Sequence, residues 1–560
     1  MMRSKFCLVI GLLGSLAFTM PAAAAGETSA SPDDGARIVL YASPTSRRRL
    51  AADGLSLKAQ VNQWRDLLRE RGARYEIVTD PDRLARFAAP GTLILASAVA
   101  LDDREREAIG ARLRLGDNLL ATGALAIPDL CAVFPAPPGG SCAPPAVPAG
   151  TATANYVVTV GGTPLTYALP AGTRIWLGDK ALAALPAVSG SPDAYATDWS
   201  RSASRVAMVH AVAGASRRAL LGWPENAWSS QPAQSLAVAR MALDWVMNRP
   251  VAYVAPWPWP YRAAMSFGVD ATWRFENMAG VAAMLSQRKV AATFNFLAPD
   301  LASQVALAKR LAAGGNGIGT LGDRWQPFGG EPAELQAARA TKAKQVLTAA
   351  LGTGHGAGMR PPEGRTDAGT EAAASGLEYL VDAGRVDALV PTLTRGDGPV
   401  VLPNPLNLDG HSAAPSIAQA LAGEAQRLAR FGGYGYVGLD AAQAGRGSAL
   451  IDGISHFLDD PAARGGLWIA DAAAVARWSR SLARVSVDVG TARDAAFDVT
   501  LRVAPGNPLP QGVALVVHPP GNARITTVEG NARLAEGGAN ALLIGGLPAG
   551  EHRLRLHFAP

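Results

Sequence analysis

The sequence predicts an α/β protein of three units: a parallel-sheet domain, a second strand–helix domain, and a small C-terminal β-sandwich. Three observations carry this. Short apolar runs alternate with helix-spaced segments from Arg37 to Thr122, and again from Ala263 to about Ser481; such alternation implies parallel strands with helices on the sheet faces. After Ser486 the period changes to two, in Phe497-Asp-Val-Thr-Leu-Arg-Val, Gly512-Val-Ala-Leu-Val-Val and His552-Arg-Leu-Arg-Leu-His-Phe, with Gly, Pro and Asn turns between the runs. The chain of 560 residues is 49% hydrophobic and 18% charged, which excludes disorder, because so apolar a chain buries enough surface to offset its ordering entropy. No glycine period or sustained heptad is present, which excludes collagen and coiled coil. The net charge of +6 is small and its Lys and Arg are not clustered, so nucleic-acid binding is not expected.

Residues 1–25 read as an export signal: Arg3 and Lys5, an apolar run from Leu8 to Met20 too short to span a bilayer, then the small residues Ala22 to Ala25. No later stretch resembles a membrane helix, so the expected location after cleavage is the periplasm or the exterior, with no membrane span. Cys131 and Cys142 flank a Pro/Gly-rich loop and, in an oxidising compartment, are expected to form a disulfide. With no His or third Cys nearby, zinc is not expected there.

The elements follow in order. Arg37–Tyr41 is a strand. Val61, Trp64, Leu67 and Leu68 give a helix over Leu57–Arg71, stopped by Gly72. Tyr75–Val78 and Thr92–Ala96 are strands, Asp102 and Asp103 open a helix through Leu113, and Asp117–Thr122 is the next strand. Arg47-Arg48-Arg49 reads as a solvated loop. Residues 143–200 look like a β-rich insertion, and a helix from Ala233 to Met247 closes the domain, whose bounds are 36–250. Residues 251–262 form a Pro/Trp linker, since proline-rich chain cannot continue a helix. Trp257 and Trp259 are expected to pack there rather than to stack on sugar.

The first domain resembles the class I glutamine-amidotransferase-like fold. Position 97 is Ser and the mature segment has no Cys before Cys131, so the resemblance implies a non-catalytic relative. Residues 263–484 carry four landmarks: Met265-Ser-Phe-Gly-Val-Asp270, Gly317-Ile-Gly-Thr-Leu-Gly-Asp-Arg-Trp-Gln-Pro-Phe328, Gly358-Met-Arg-Pro-Pro-Glu-Gly364, and Phe457-Leu-Asp-Asp through Leu467-Trp-Ile-Ala-Asp to Trp478. In order and spacing they resemble the polysaccharide deacetylases of the NodB-homology, carbohydrate esterase family 4 type. The resemblance implies a distorted (β/α) barrel with its site at the carboxyl ends of the strands. Residues 485–560 remain as the β-sandwich.

The family's chemistry is metal-assisted removal of an N-acetyl group: an Asp and two His hold a divalent metal such as zinc, which lowers the pKa of its water. A second Asp accepts the water's proton, and a further His protonates the leaving amine. Carried over position by position, Asp270 fits the base, Ala271 stands where the metal-binding Asp belongs, and the two metal His fall on Leu321 and Trp325. The terminal His falls on Leu439 or Asp440. Arg360 is kept, and Asp382 is its expected partner. Water ionises at a pKa of about 15.7 free and about 7 on zinc, a gap of about 12 kcal/mol that a carboxylate alone does not replace. The expected metal and cofactor are therefore none. Asp270, Asp323, Glu363 and Asp440, with His355 and His456 elsewhere, remain as a source of a substitute calcium or magnesium site. Paired carboxylates also raise glycosidic hydrolysis as an alternative.

These residues predict an exported deacetylase-like protein without catalysis, binding a polysaccharide or oligosaccharide. Trp273, Trp325, Pro361 and Pro362 are expected to line the groove, and Asp270, Arg360 and Asp382 to be remnants of the catalytic set. The alternatives are an active N-deacetylase with an atypical metal site, and a scaffold for envelope polysaccharide machinery.

Overall fold

The computed structural model describes residues 37–123, 156–178, 191–197, 204–352, 358–384, 389–403, 405–408, 411–445, 447–538 and 540–559. The leader, Cys131, Cys142 and His355 lie outside these residues, as do residues 143–155, 179–190 and 198–200 of the expected insertion.

The first domain is built on one nine-stranded sheet. Its strands are β1 (Ile38–Tyr41), β2 (Tyr75–Val78), β3 (Thr92–Leu95), β4 (Asn118–Thr122), β5 (Tyr156–Thr159), β6 (Arg174–Trp176), β7 (Ser191–Thr197), β8 (Ser204–Ala213) and β9 (Ser216–Leu221). They are ordered β2-β1-β3-β4-β9-β8-β7-β5-β6. The first five in that order are mutually parallel, and β1, β3 and β4 read as unbroken apolar runs because helices cover both faces. The expected insertion is thus no separate body: its described strands extend the same sheet in antiparallel sense. Arg47, Arg48 and Arg49 lie on a helix, Pro44–Ala52, not in a loop. Ser43 caps it and Pro44 occupies its first turn. Asp102 opens the helix Asp103–Arg114 with a reciprocal capping box to Glu105.

Ser97, just past β3 with φ +42, and Thr122 both hydrogen-bond the carboxylate of Glu225, and Trp64 Nε1 donates to it at 2.5 Å. Burial pushes the Glu225 carboxyl up, against these donors.

The expected linker corrects to a strand, β10 (Val251–Val254), which pairs antiparallel with Ala514–His518 of the C-terminal region. Val-Ala-Tyr-Val has the β-branched and aromatic content of a strand, and only the prolines after it enforce the connector. Trp257 is buried, donates to Gly432 O at 2.9 Å and stacks near Tyr434, so it is packing, as expected.

The second domain holds β11 (Ala263–Ala271), β12 (Thr293–Leu297), β13 (Gly317–Gly322), β14 (Gly358–Met359), β15 (Tyr379–Asp382), β16 (Thr392–Leu393), β17 (Val400–Pro403), β18 (Pro405–Asn407), β19 (Tyr434–Asp440) and β20 (Leu467–Ile469). The order is β16-β17-β15-β14-β13-β12-β11-β19-β18, with β20 also against β11. Consecutive strands β17 and β18 pair with β15 and β19 respectively, so one stretch of chain closes the curled sheet into a ring. Helices such as Glu276–Gln287 and Ala414–Phe431 cover the outside.

Inside the ring, glycines face tyrosines. A Cβ at Gly268 would collide with Tyr436 Oη, and one at Gly358 with the ring of Tyr379. These glycines are what allow two full aromatic rings into the barrel.

The C-terminal region forms β21 (Val485–Val489), β22 (Ala496–Val503), β23 (Ala514–His518), β24 (Arg524–Glu529), β25 (Arg533–Leu534), β26 (Ala541–Leu543) and β27 (Gly550–Ala559). They make two four-stranded antiparallel sheets, β10-β23-β26-β25 and β21-β22-β27-β24, which share one apolar core. That core also takes in Tyr434, Val475 and Trp478 of the barrel domain.

Candidate active site at the barrel mouth

β11 alternates sides, as any strand does. Phe267, Val269 and Ala271 pack outward against Met278 and Val281 of the covering helix. Gly268 and Asp270 face inward, toward Tyr436 and Asn295. This corrects the expectation for Ala271: it is fully buried in the helix-facing layer, and the inward neighbour of Asp270 is Gly268, whose space Tyr436 fills.

Asp270 ends β11 at the carboxyl edge of the ring. Its register partner across the parallel pair is Asp440, at the end of β19, so both carboxylates emerge on the same side. Both positions left open for the terminal His border the mouth; Leu439 also packs in the apolar layer, and Asp440 is the one that brings a polar group there. Asp440 accepts the Ala442 amide at 2.9 Å.

Arg360 Nη1 makes a close ion pair with Asp270, and Asn295 Nδ2 donates to the same carboxylate at 3.3 Å while also reaching Tyr436 Oη at 2.9 Å. Gly438 leaves room for the guanidinium, since a Cβ there would approach Arg360 Nη2 to 3.1 Å. Asp270 is 7% exposed. Burial raises its pKa to about 6; Arg360 and Asn295 oppose the rise, and the charge of Asp440 adds to it.

The expected Arg360–Asp382 pair is not formed: Arg360 is spent on Asp270, while Asp382 accepts the Gly384 amide at 2.7 Å at the end of β15. Proximity in the ring decides this, because Asp270 sits at the strand end that the Arg360 loop overhangs.

A cleft of about 770 Å³ opens above these groups, walled by Trp273, Trp325, Glu363, Asp440 and Gln443. Trp273 and Trp325 are 64% and 51% exposed, unusual for indoles, and present apolar faces to the opening. Pro361 and Pro362 are buried beneath it and do not line it, contrary to expectation; Glu363, which follows them, does.

The residues do not fit a metal of the family's kind. Leu321 is buried and Trp325 is an indole, so neither offers a ligand, and the one inward carboxylate at the ring's centre already carries a guanidinium. The substitute set also disperses. Asp323 is bound to Arg339 Nε at 2.7 Å beside the helix Ala333–Leu351, and His456 is exposed on the helix Ala449–Asp459. Among the described residues no three His, Cys, Asp or Glu side chains gather as a metal site.

Asn295 and Tyr436 were not anticipated. Their signal was present as polar groups at the inward positions of the apolar strands Thr293-Phe-Asn-Phe-Leu and Tyr434-Gly-Tyr-Val.

Among the described residues no helix is long and apolar enough to cross a membrane. No curated protein matches the chain. Several solved structures are similar. A protein from Mycobacterium smegmatis assigned to the polysaccharide deacetylases has 17% identity and a TM-score of 0.35, over 40% of this chain and 93% of that one. The allantoinase PuuE has 15% identity and a TM-score of 0.35, over 40% and 92%. A wild-type CE4 family pseudoenzyme from Bacillus anthracis has 10% identity and a TM-score of 0.27, over 38% and 65%. The family model for polysaccharide deacetylase matches residues 264–381, the segment that supplies Asp270, Asn295 and Arg360. Residues 264–381, which bring Asp270, Asn295 and Arg360 to the mouth of the barrel, therefore belong to a polysaccharide deacetylase domain.

Proposed function

We propose that this is an exported polysaccharide- or oligosaccharide-binding protein whose deacetylase domain no longer carries out metal-assisted N-deacetylation. It acts in envelope or exopolysaccharide metabolism, in the periplasm or outside the cell. On this reading the first domain is a non-catalytic amidotransferase-like unit and the C-terminal sheets are a β-sandwich.

The observation that carries the reading is the pairing of Asp270 with Arg360 at a mouth where positions 321 and 325 are Leu and Trp. With Leu and Trp at those positions, no side chain there can hold a cation that would acidify a water for Asp270 to deprotonate. What remains is recognition. Indole faces at Trp273 and Trp325 stack on the apolar faces of pyranose rings, and Gln443, Glu363 and Asp440 supply hydrogen-bond partners for hydroxyls.

Two measurements on the full chain test this. Titration with cell-envelope and secreted oligosaccharides should detect binding that Trp273→Ala or Trp325→Ala weakens roughly three- to tenfold. Incubation with zinc and an N-acetylated oligosaccharide should release no acetate. Stoichiometric zinc together with acetate release would overturn the proposal.

A further inference from the structure

We infer that the cleft selects sugars bearing free ammonium groups over their N-acetylated or uronate counterparts. The inference rests on the cleft being a sugar site, as proposed above, and adds the charge of the sugar.

The two indoles supply stacking for any pyranose and do not by themselves choose among charges. The choice comes from what lies between them. Among the described residues Arg360 is the one cation lining the cleft, and its charge is cancelled by Asp270. Asp440 is left with a backbone amide as its partner, and among the described residues no Lys or Arg pairs with it. Glu363 also lines the cleft, 56% exposed at its side chain, with Arg365 Nη1 3.8 Å away and itself 73% exposed. That pair is loose and solvent-screened. The wall therefore offers the uncompensated negative charge of Asp440 in a cleft that two indoles also line.

Three ligand chemistries meet this wall differently. A uronate brings a second carboxylate and is repelled. An N-acetyl sugar covers Asp440 and removes its water without supplying a counter-charge, which is unfavourable for a buried ion. An ammonium group supplies charge-assisted N–H donors to Asp440 and rests against the electron-rich faces of Trp273 and Trp325. Asp440 lies beside Asp270 in register, so a sugar amine seated on Asp440 sits directly over the ring's centre. The favoured ligand is thus the kind of chain that N-deacetylation produces, and the reaction class that supplies it is hydrolysis of an acetamido sugar elsewhere.

The test is calorimetric titration of the full chain at about pH 7, where Asp270 is ionised, with hexamers of glucosamine, N-acetylglucosamine and galacturonate. The glucosamine hexamer is expected to bind at least tenfold more tightly than the N-acetylated one, about 1.4 kcal/mol, and the uronate not at all. Asp440→Asn should erase the preference, bringing the affinity for the glucosamine hexamer down to that for the N-acetylated one. Trp325→Ala should weaken both hexamers, and high salt should shrink the preference. Equal or tighter binding of the N-acetylated or uronate hexamer overturns the ammonium selectivity while leaving the sugar site standing. Binding of none of the three overturns the site itself, and the selectivity with it.

Discussion

Asp270 sits where burial and ion pairing oppose each other, and burial prevails. Its folded pKa of about 6 lies above the ordinary value of 3.8, so between these limits the folded chain binds more protons than the unfolded one. Its contribution to stability therefore falls as pH rises from about 4 to about 6 and is flat above. Asp270→Asn carries no such titration. The two proteins should be close in stability at pH 4, and the variant should gain on the wild type by roughly 2 kcal/mol by pH 6.5. Urea unfolding at a series of pH values checks this; parallel profiles would show that Asp270 titrates normally. A second prediction concerns Gly268. Gly268→Ala drives a methyl into Tyr436 and should cost about 3 kcal/mol or more. Combined with Tyr436→Ala, the loss should fall short of the sum of the single losses by more than about 1 kcal/mol. The motifs made Asp270, Arg360, Trp273 and Trp325 legible in the sequence, because each belongs to a short run of fixed spacing. The inward side of β11 was legible too, by counting in twos from Asp270, but the adjacent Ala271 drew the comparison instead. Asp382 was misread because a strand-end carboxylate can turn back on its own loop, which spacing along the chain does not reveal.

Whole elements were most legible where they are buried on both sides. β1, β3 and β4 stand out as apolar runs, and the C-terminal strands as alternating ones. The helix Pro44–Ala52 was hidden because only Ser46 and Leu50 of it are buried, so three arginines masked its period, although its cap and proline were visible. β10 was hidden by the prolines after it, and its partner lies more than 250 residues away. Around that pairing the domains are joined by buried polar groups. Arg217 reaches the carbonyl of Pro519 and donates to Arg249 O at 2.8 Å, and its guanidinium lies 4.1 Å over the Trp245 ring. Burial lowers its pKa to about 9. His518, facing Tyr253, Trp245, His210 and Arg217, is held neutral, with a pKa lowered to about 3, chiefly by burial. Unfolding lets it protonate near 6.5, so the joint weakens as pH falls from about 6.5 toward 3. His518→Gln should remove roughly 3 kcal/mol of the wild type's loss between pH 6.5 and pH 4. Chemical denaturation at the two pH values reads this directly, and an unchanged loss in the variant would contradict the buried, neutral state.

At the scale of the molecule, the barrel and the C-terminal sheets share one core while the first domain keeps its own. Tyr434, Val475 and Trp478 of the barrel domain pack in the same apolar cluster as Val499, Leu515 and Leu542 of the sheets. The first domain's two large apolar clusters are built from residues before 248, and one small cluster joins its Tyr156 and Val158 to Leu389 and Phe431 of the barrel domain. The sequence suggested three separable units because its periodicities change at their borders, but periodicity describes each strand's own faces and not what lies across from them. The described packing instead predicts two cooperative units. A chain ending at residue 484 would lose β23, the partner of β10, and uncover the Trp478 side of the barrel's last helix. Exposing several large apolar side chains at about 1.5–3 kcal/mol each is comparable with a whole domain's stability, so the truncated barrel should be insoluble or lose its cooperative transition. Scanning calorimetry of the full chain should resolve one transition for residues 251–560 and a second for the first domain. Arg217→Ala, which strips the joint of its buried guanidinium, should move the two transitions further apart without splitting the barrel from the sheets. A truncated barrel that melts at the same temperature as in the full chain would mean that the shared core adds nothing, and the three borders read from the sequence would then be the true ones.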